Sequence, residues 1–421
     1  MSGLDLVLRR ARIAGRGDAL ADIGIAAGRI AAISPVIASD APVEDLDGRI
    51  VVPGFVESHV HLDKSCLLER CGHAPTLAEA IGAVAAAKRG FTVEDVYSRG
   101  RATLEKAILH GTTRMRTHVE IDPRVGLRGF EAVRGLKADY AWAIELQICV
   151  FPQEGLLNDP GAEELLIEAI ERGADLIGGC PYTDSDPHGH IARIFDIAGR
   201  HDLDIDFHLD FHLDPARGDL AEVCRQARAR GWGGRVAVGH VTTLSALAPE
   251  ALAAAERMMA DAGVALTVLP STDLFLMGRA STHLVPRGVA PAHRLAGRGV
   301  TCSISTNNVL NPFTPFGDCS LIRMANLYAN VAQLGSLEEM RLCLDMVTAA
   351  PARLMNLADY GVEPGNPADL VVLDARAEGM AVAELAAPLF GLKAGRRTFT
   401  RPAAVLHAPG AARAGGAVSA A

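Results

Sequence analysis

The sequence predicts an α/β chain built as a (β/α)8 TIM barrel, with a small β domain assembled from both chain ends. Three observations carry this expectation. Residues from about 51 to 350 alternate short apolar runs with long amphipathic helices, about eight times over. The two ends are instead rich in short strands. Histidines recur where the apolar runs end, and the C-terminal end of its strands is the face on which a barrel carries its active site.

Taken in order, Leu4 to Leu8 alternates apolar and polar residues, and Asp22 to Ala26 runs through the turn Ala27-Gly28-Arg29 into Ile30 to Ile33. The run 51–58 is Val-rich and ends at His59, as a buried parallel strand would. Further runs lie at 114–117, 146–150, 175–178, 203–207, 236–239, 265–269 and 300–304. The clearest helix is 162–170, ending near Gly173. Strand character returns at 368–374 and 402–406. The expected division is a small β-sandwich domain of 1–50 plus 360–408, a barrel of 51–359, and an Ala/Gly/Arg tail of 409–421 that reads as disordered. A doubly wound open sheet is the rival, but no G-x-G-x-x-G follows the first strand.

Bulk composition narrows the partners. The chain has 421 residues, with 41 basic against 50 acidic side chains and a net charge of −9. No Lys/Arg block stands out, which argues against nucleic acid and acidic membranes. The longest apolar stretches are strand-length or Ala-rich amphipathic helix, so no bilayer span is expected. The N-terminus lacks the basic and apolar regions of a secretory signal. Eight cysteines are scattered singly, with no C-x-x-C pair, and read as reduced thiols of a cytoplasmic protein.

The strand ends carry the chemistry. His59 and His61, at i and i+2, would share one face of a strand and hold one metal ion. His118 and Glu120 end the second run, Gln153 follows the third, His208, Asp210, Phe211 and His212 follow the fifth, His240 the sixth, and Asn307 the eighth. His118 also reads as a satisfied buried histidine, Glu120 as a partner of Arg116, and Gln153 as a turn residue. His59, His61, His208 and His240 together converge on one point of a barrel. Three neutral imidazoles bind a divalent Zn or Fe ion and leave a position open for water. Water on a catalytic zinc has a pKa of about 7, which yields a hydroxide nucleophile. A fourth histidine can polarise the substrate or orient that nucleophile. The segment Tyr182 to His190 reads either as a pocket lid or as a loop with two solvated histidines.

These motifs resemble the amidohydrolase superfamily, and within it the cytosine deaminase branch. The resemblance rests on Pro53-Gly54-Phe55-Val56-Glu57-Ser58-His59-Val60-His61, on Arg116-Thr117-His118-Val119, and on Phe151-Pro152-Gln153-Glu154-Gly155. It continues through Asp206-Phe207-His208, Gly239-His240, Asn311-Pro312-Phe313 and the closing Gly365 to Leu373. His61-Leu62-Asp63-Lys64 is similar to the branch member that removes isopropylamine from N-isopropylammelide. The resemblance implies a distorted (β/α)8 barrel with a small β-sandwich, and leans toward a homo-oligomer. It implies His59, His61 and His208 as metal ligands and His240 as the residue orienting water. Gln153 would read a ring amide, with Lys64, Phe211 and His118 also facing the substrate.

Two departures reshape the expectation. Asn307 stands where the family has an aspartate that ligates the metal and shuttles a proton. An asparagine offers a carbonyl oxygen to the metal but no charge, and cannot accept that proton in the usual way. Another base is then needed; Asp210 is the leading candidate, being two residues after His208, with Asp63 and Glu120 behind it. Phe211 stands where cytosine deaminases have a glutamate for the ring edge. An apolar group there, worth about 2 kcal/mol for a matching substituent, argues against cytosine itself. The expected activity is hydrolysis of a C–N bond in a substituted or less polar nitrogen heterocycle, by deamination or dealkylamination. A ring-opening cyclic amidase and a catalytically silent ligand-binding barrel are the alternatives.

Overall fold

The computed structural model describes residues 3–72, 74–402 and 404–407, and the tail at 409–421 lies outside the described residues. Five strands open the chain: Leu6–Ile13 (β1), Leu20–Ala26 (β2), Arg29–Ser34 (β3), Val43–Asp45 (β4) and Ile50–Pro53 (β5). Eight more, separated by helices, follow as Phe55–Val60 (β6), Thr112–Glu120 (β7), Glu145–Phe151 (β8), Leu176–Gly179 (β9), Asp204–Leu209 (β10), Val236–His240 (β11), Val264–Val268 (β12) and Cys302–Ile304 (β13). The chain returns with Leu370–Leu373 (β14), Pro388–Lys393 (β15) and Arg396–Thr400 (β16).

The terminal strands form one mixed sheet in the order β16-β15-β14-β5-β1-β2-β3, with β4 on β1. Its core is Leu8, Ile23, Ile25, Val51, Leu370 and Phe390, all buried. The apolar run at 51–58, expected as one strand, is divided. Ile50–Pro53 pairs antiparallel with β14 in the terminal sheet, while Phe55–Val60 pairs parallel with β7. Gly54 makes the passage: its N–H donates to the Asp369 carbonyl at 2.9 Å, and a Cβ on it would overlap the Thr113 side chain. Thr113 is β-branched and buried, so it cannot swing away. Gly54→Ala is expected to destabilise the protein by about 1–3 kcal/mol, read as a lower urea midpoint with an unchanged slope.

Strands β6 to β13 form an all-parallel ladder in sequence order. Because β13 has only three residues, the seam back to β6 is closed by other means. Ser58 Oγ lies 2.8 Å from both Ser303 Oγ and Ser305 Oγ. Beyond them, the Asn307 N–H donates to the His59 carbonyl and the His61 N–H to the Asn307 carbonyl, each at 2.9 Å. The backbone of Asn307 thus joins the first barrel strand to the last.

Parity explains what faces inward. Arg116 and His118 on β7 meet Asp206 on β10, although β8 and β9 lie between those strands in the sheet. They can meet only through the barrel interior. The alternate residues Met115, Val119, Ile205, Phe207 and Leu209 enter the apolar layer under the helices. No described helix is long and apolar enough to cross a membrane. All eight cysteines are free thiols.

Candidate metal centre and active site

The ends of β6 and β10 bring three imidazoles together. His208 Nε2 lies 3.1 Å from His59 Nε2 and 3.1 Å from His61 Nε2. Three nitrogens facing one another cannot all be satisfied by protons. Their spacing is close to the roughly 3.3 Å between two nitrogens that each sit about 2.05 Å from a tetrahedral ion. Burial holds the pKa of each of these histidines well below the ordinary value, with neighbouring cations and imidazoles adding to the effect. They are therefore neutral at pH 7, which is the ligating state. Asn307 adds to the fit. Its side chain is buried, and neither its Oδ1 nor its Nδ2 has a hydrogen-bond partner among the described residues. A divalent ion suits this donor set.

The surrounding groups orient the imidazoles. His61 Nδ1 lies 3.2 Å from the His118 carbonyl, so it carries the proton and leaves Nε2 for the ion. His59 Nδ1 faces Asp206 Oδ1 at 4.0 Å, and His118 stacks on His59 with ring centroids 3.8 Å apart. Burial pushes the Asp206 carboxyl up, but His118 and Arg116 outweigh it and hold it below its usual range. Phe151 stacks on His208 at 4.4 Å. Gly239 leaves room for His59, since a Cβ there would lie 3.0 Å from His59 Cε1. His240 and Asn307 are in the left-handed region at φ 71° and 65°, and Val241, a β-branched residue, is at 45°. Such strain clusters at functional sites.

The remaining expected site residues fall into two groups. Lys64 Nζ donates to Gln153 Oε1 at 3.1 Å and to Glu120 Oε1 at 2.7 Å, and lies 4.5 Å from the Phe313 ring centroid. Lys64 and Gln153 thus form one buried polar wall. Phe211 belongs to the apolar cluster that also holds Phe313, and stacks on His240 at 3.9 Å with 27° between the planes. His118, expected at the substrate, has the imidazole cluster and Asp206 as its neighbours.

Asp210 is placed differently from the expectation. Its φ is 47°, so the strand ends before it and the i+2 alternation from His208 does not extend to it. Its carboxylate accepts the Asp219 and Leu220 amides at 2.7 and 3.2 Å, at the start of the helix Leu220–Arg230. Burial raises its pKa to about 6. Asp63 Oδ2 accepts the Glu120 amide at 2.9 Å. Glu120 is held between the Lys64 and Lys88 ammonium groups.

Two features were not foreseen. His240 Nδ1 lies 2.6 Å from Asp273 Oδ1, in a fully buried pair. Asp273 sits in the first turn of the helix Pro270–Leu276, directly after β12, so its strand-end position was the available signal. Of the two histidines in the Tyr182–His190 segment, only His188 is exposed. His190 is buried, with Nδ1 3.0 Å from Asp184 Oδ2 and Nε2 accepting the Cys180 amide at 3.2 Å.

Comparison with known proteins identifies the family. An amidohydrolase family model matches residues 42–137 and 130–399, and the chain belongs to that family. It is an amidohydrolase-type, metal-dependent hydrolase acting on non-peptide C–N bonds. It is 28% identical to N-isopropylammelide isopropyl amidohydrolase of Pseudomonas sp. (strain ADP), over 93% of this chain and 96% of the relative. It is 29% identical to pterin deaminase of Rhizobium rhizogenes, over 85% of this chain and 82% of the relative. The structure of 5-methylcytosine deaminase from Klebsiella pneumoniae with 5-fluorocytosine superimposes with a TM-score of 0.92 at 28% identity, covering 96% of this chain and 99% of that one.

Proposed function

We propose that the protein hydrolyses an exocyclic C–N bond, by deamination or dealkylamination, on a substituted or less polar nitrogen heterocycle. The observation that carries this reading is Phe211, lying flat on His240 where a carboxylate would serve the polar edge of cytosine. Lys64 supports it. Lys64 uses two of its three N–H donors within the protein, which leaves one for a ring oxygen or ring nitrogen. A ring that packs by Phe211 and accepts from that donor would present its substituted carbon to the histidines. His59, His61, His208 and the Asn307 amide oxygen would hold one Zn or Fe ion. Such an ion supplies Lewis acidity that lowers the pKa of water to about 7. The relatives named above, which act on a pterin and on N-isopropylammelide by their names, favour a substituted ring.

The test is turnover of cytosine, 5-methylcytosine, pterin and N-isopropylammelide, with products read by mass spectrometry. Deamination changes the mass by about one unit, whereas ring opening adds one water of about 18 units. At least one substituted ring is expected to exceed cytosine by about tenfold or more in kcat/KM. A preference for cytosine, or a ring-opened product, would overturn the proposal.

A further inference from the structure

We propose that His240, held by Asp273, carries the proton that Asn307 cannot accept, with Asp273 as the positioning residue that fixes His240 in its Nδ1–H form. This rests on the C–N hydrolase reading above. In such a hydrolysis a proton must leave the attacking water and reach the departing nitrogen. The carboxylates around the histidines are engaged elsewhere, and the two oxygens that lack a hydrogen bond, Asp206 Oδ1 and Asp63 Oδ1, face His59 Nδ1 and His61 Nδ1 at 4.0 Å rather than the Nε2 cluster. Glu57 accepts the Thr306 and His59 amides. Asp206 is paired with Arg116 at 2.8 Å, and Asp210 with two helix amides. Asp63 takes the Glu120 amide, and Glu120 lies between two ammonium groups. The asparagine at 307 offers no basic atom.

His240 stands apart from these. Its ring lies 5.8 Å from the ring of His208 and 6.1 Å from that of His59, at the rim of the nitrogen cluster. Its Nδ1 is committed to Asp273, so Nε2 is the nitrogen free to exchange a proton. Asp273 is itself held, because its Oδ2 accepts the Leu269 amide at 3.2 Å. Phe211 on the imidazole face and the left-handed backbone at His240 fix the ring plane.

As the water oxygen bonds to the ring carbon, one O–H bond breaks and its proton moves to His240 Nε2. The imidazolium stays paired with the Asp273 carboxylate. It then gives the same proton to the exocyclic nitrogen as the C–N bond breaks and the bonding pair leaves with nitrogen. His240 returns to its neutral form; water has been consumed, ammonia or an amine released, and nothing oxidised or reduced.

Two readouts test this on the full-length chain. The first is the 15N spectrum of histidine-labelled protein, without any substrate. Neutral His240 is expected as the Nδ1–H tautomer in the wild type and as Nε2–H in Asp273→Asn, whose amide can donate to Nδ1. The second is kinetic, on whichever panel heterocycle the wild type turns over. Asp273→Asn is expected to lower kcat by about 10³- to 10⁴-fold, as the amide replacement behind a serine-protease histidine does through the wrong tautomer. KM should change by less than about threefold and metal content not at all, the signature of an interaction made only in the transition state. Asn307→Asp in that background is expected to recover about tenfold or more, since general acid–base catalysis is worth 10²- to 10⁴-fold.

A wild-type His240 in the Nε2–H form overturns the proposal even if Asp273→Asn fails to fold. A kcat for Asp273→Asn within about threefold of the wild type also overturns it. A wild type that turns over no member of the panel defeats the substrate reading alone, and the tautomer still decides the pair.

Discussion

His208→Ala is expected to lose the bound ion and with it all measurable C–N hydrolysis. His208 Nε2 is the shared vertex of the cluster, 3.1 Å from the Nε2 of each of the other two histidines. Removing it leaves His59 and His61 with no third imidazole. His118 is a weaker substitute, since its ring is stacked on His59 and its Nε2 faces Asp206, so the set it could form is His59, His118 and Asp206 without His61. If a zinc site of this kind binds with about 10–16 kcal/mol over four donors, each donor carries roughly 3 kcal/mol. Losing one then weakens the site by about a hundredfold or more. The uncharged Asn307 gives the remaining set little reserve, so the expected metal content falls from about one ion per chain to near zero after dialysis. Asn307→Asp should move the other way and retain the ion against a stronger chelator. Elemental analysis on dialysed protein checks both. A full complement of metal in His208→Ala would remove the histidine cluster from the mechanism.

The barrel and the histidine set were legible because both depend on local rules. A buried parallel strand reads as an apolar run, and a residue just past its end reaches the active face. What escaped depends on backbone detail or on distant partners. The run at 51–58 looks uniform, and only the overlap of a Gly54 Cβ with Thr113, some sixty residues away, shows why the chain changes sheets there. Asp210 was expected beside His208 on the assumption that the strand persists, but a left-handed φ turns it to a helix start. Asp273 reads in sequence as an ordinary acidic residue in the first turn of a helix. Its role appears only when β11 and β12 lie side by side and bring His240 against it. Lys88 carries no motif at all, and a lysine is seldom buried without a specific set of anions around it.

Lys88→Met is expected to cost about 3–5 kcal/mol of stability at pH 8, because it removes the one buried cation shared by three carboxylates and leaves only Lys64 on Glu120 and the half-buried Arg124 beside Asp122 and Glu154. Lys88 Nζ lies 2.8 Å from Glu120, 2.6 Å from Asp122 and 2.5 Å from Glu154, and is itself almost inaccessible to solvent. Methionine keeps the aliphatic stem but not the charge. The sign of the pH dependence follows from Glu154, which burial and then the neighbouring Glu120 raise from 4.5 to about 7. The folded chain therefore holds a proton on Glu154 that the unfolded chain releases near 4.5. This group's contribution to stability declines as pH rises from about 4.5 to about 7. Without the ammonium, Glu154 should titrate higher still, and a proton can stand in for the missing cation at low pH. Glu120 runs oppositely. Burial pushes it up, but Lys64 and Lys88 outweigh this and hold it at about 2, so its contribution is present above 4.5 and lost as pH falls toward 2. Near pH 5.5 the Glu120 contribution is still in place while Glu154 can be protonated, so the deficit of Lys88→Met should be smaller there than at pH 8. Urea midpoints at the two pH values, with Lys88→Arg as the charge-retaining control, measure this. Equal deficits at both pH values, or a deficit under about 1 kcal/mol, would show that the cluster does not act through its charge. The effect should reach the active site, because Glu120 also anchors Lys64, which in turn holds Gln153. With Lys88 gone, the Lys64–Glu120 pair faces unbalanced anions, and the Lys64–Gln153 wall proposed to meet the substrate should loosen, raising KM more than it lowers kcat.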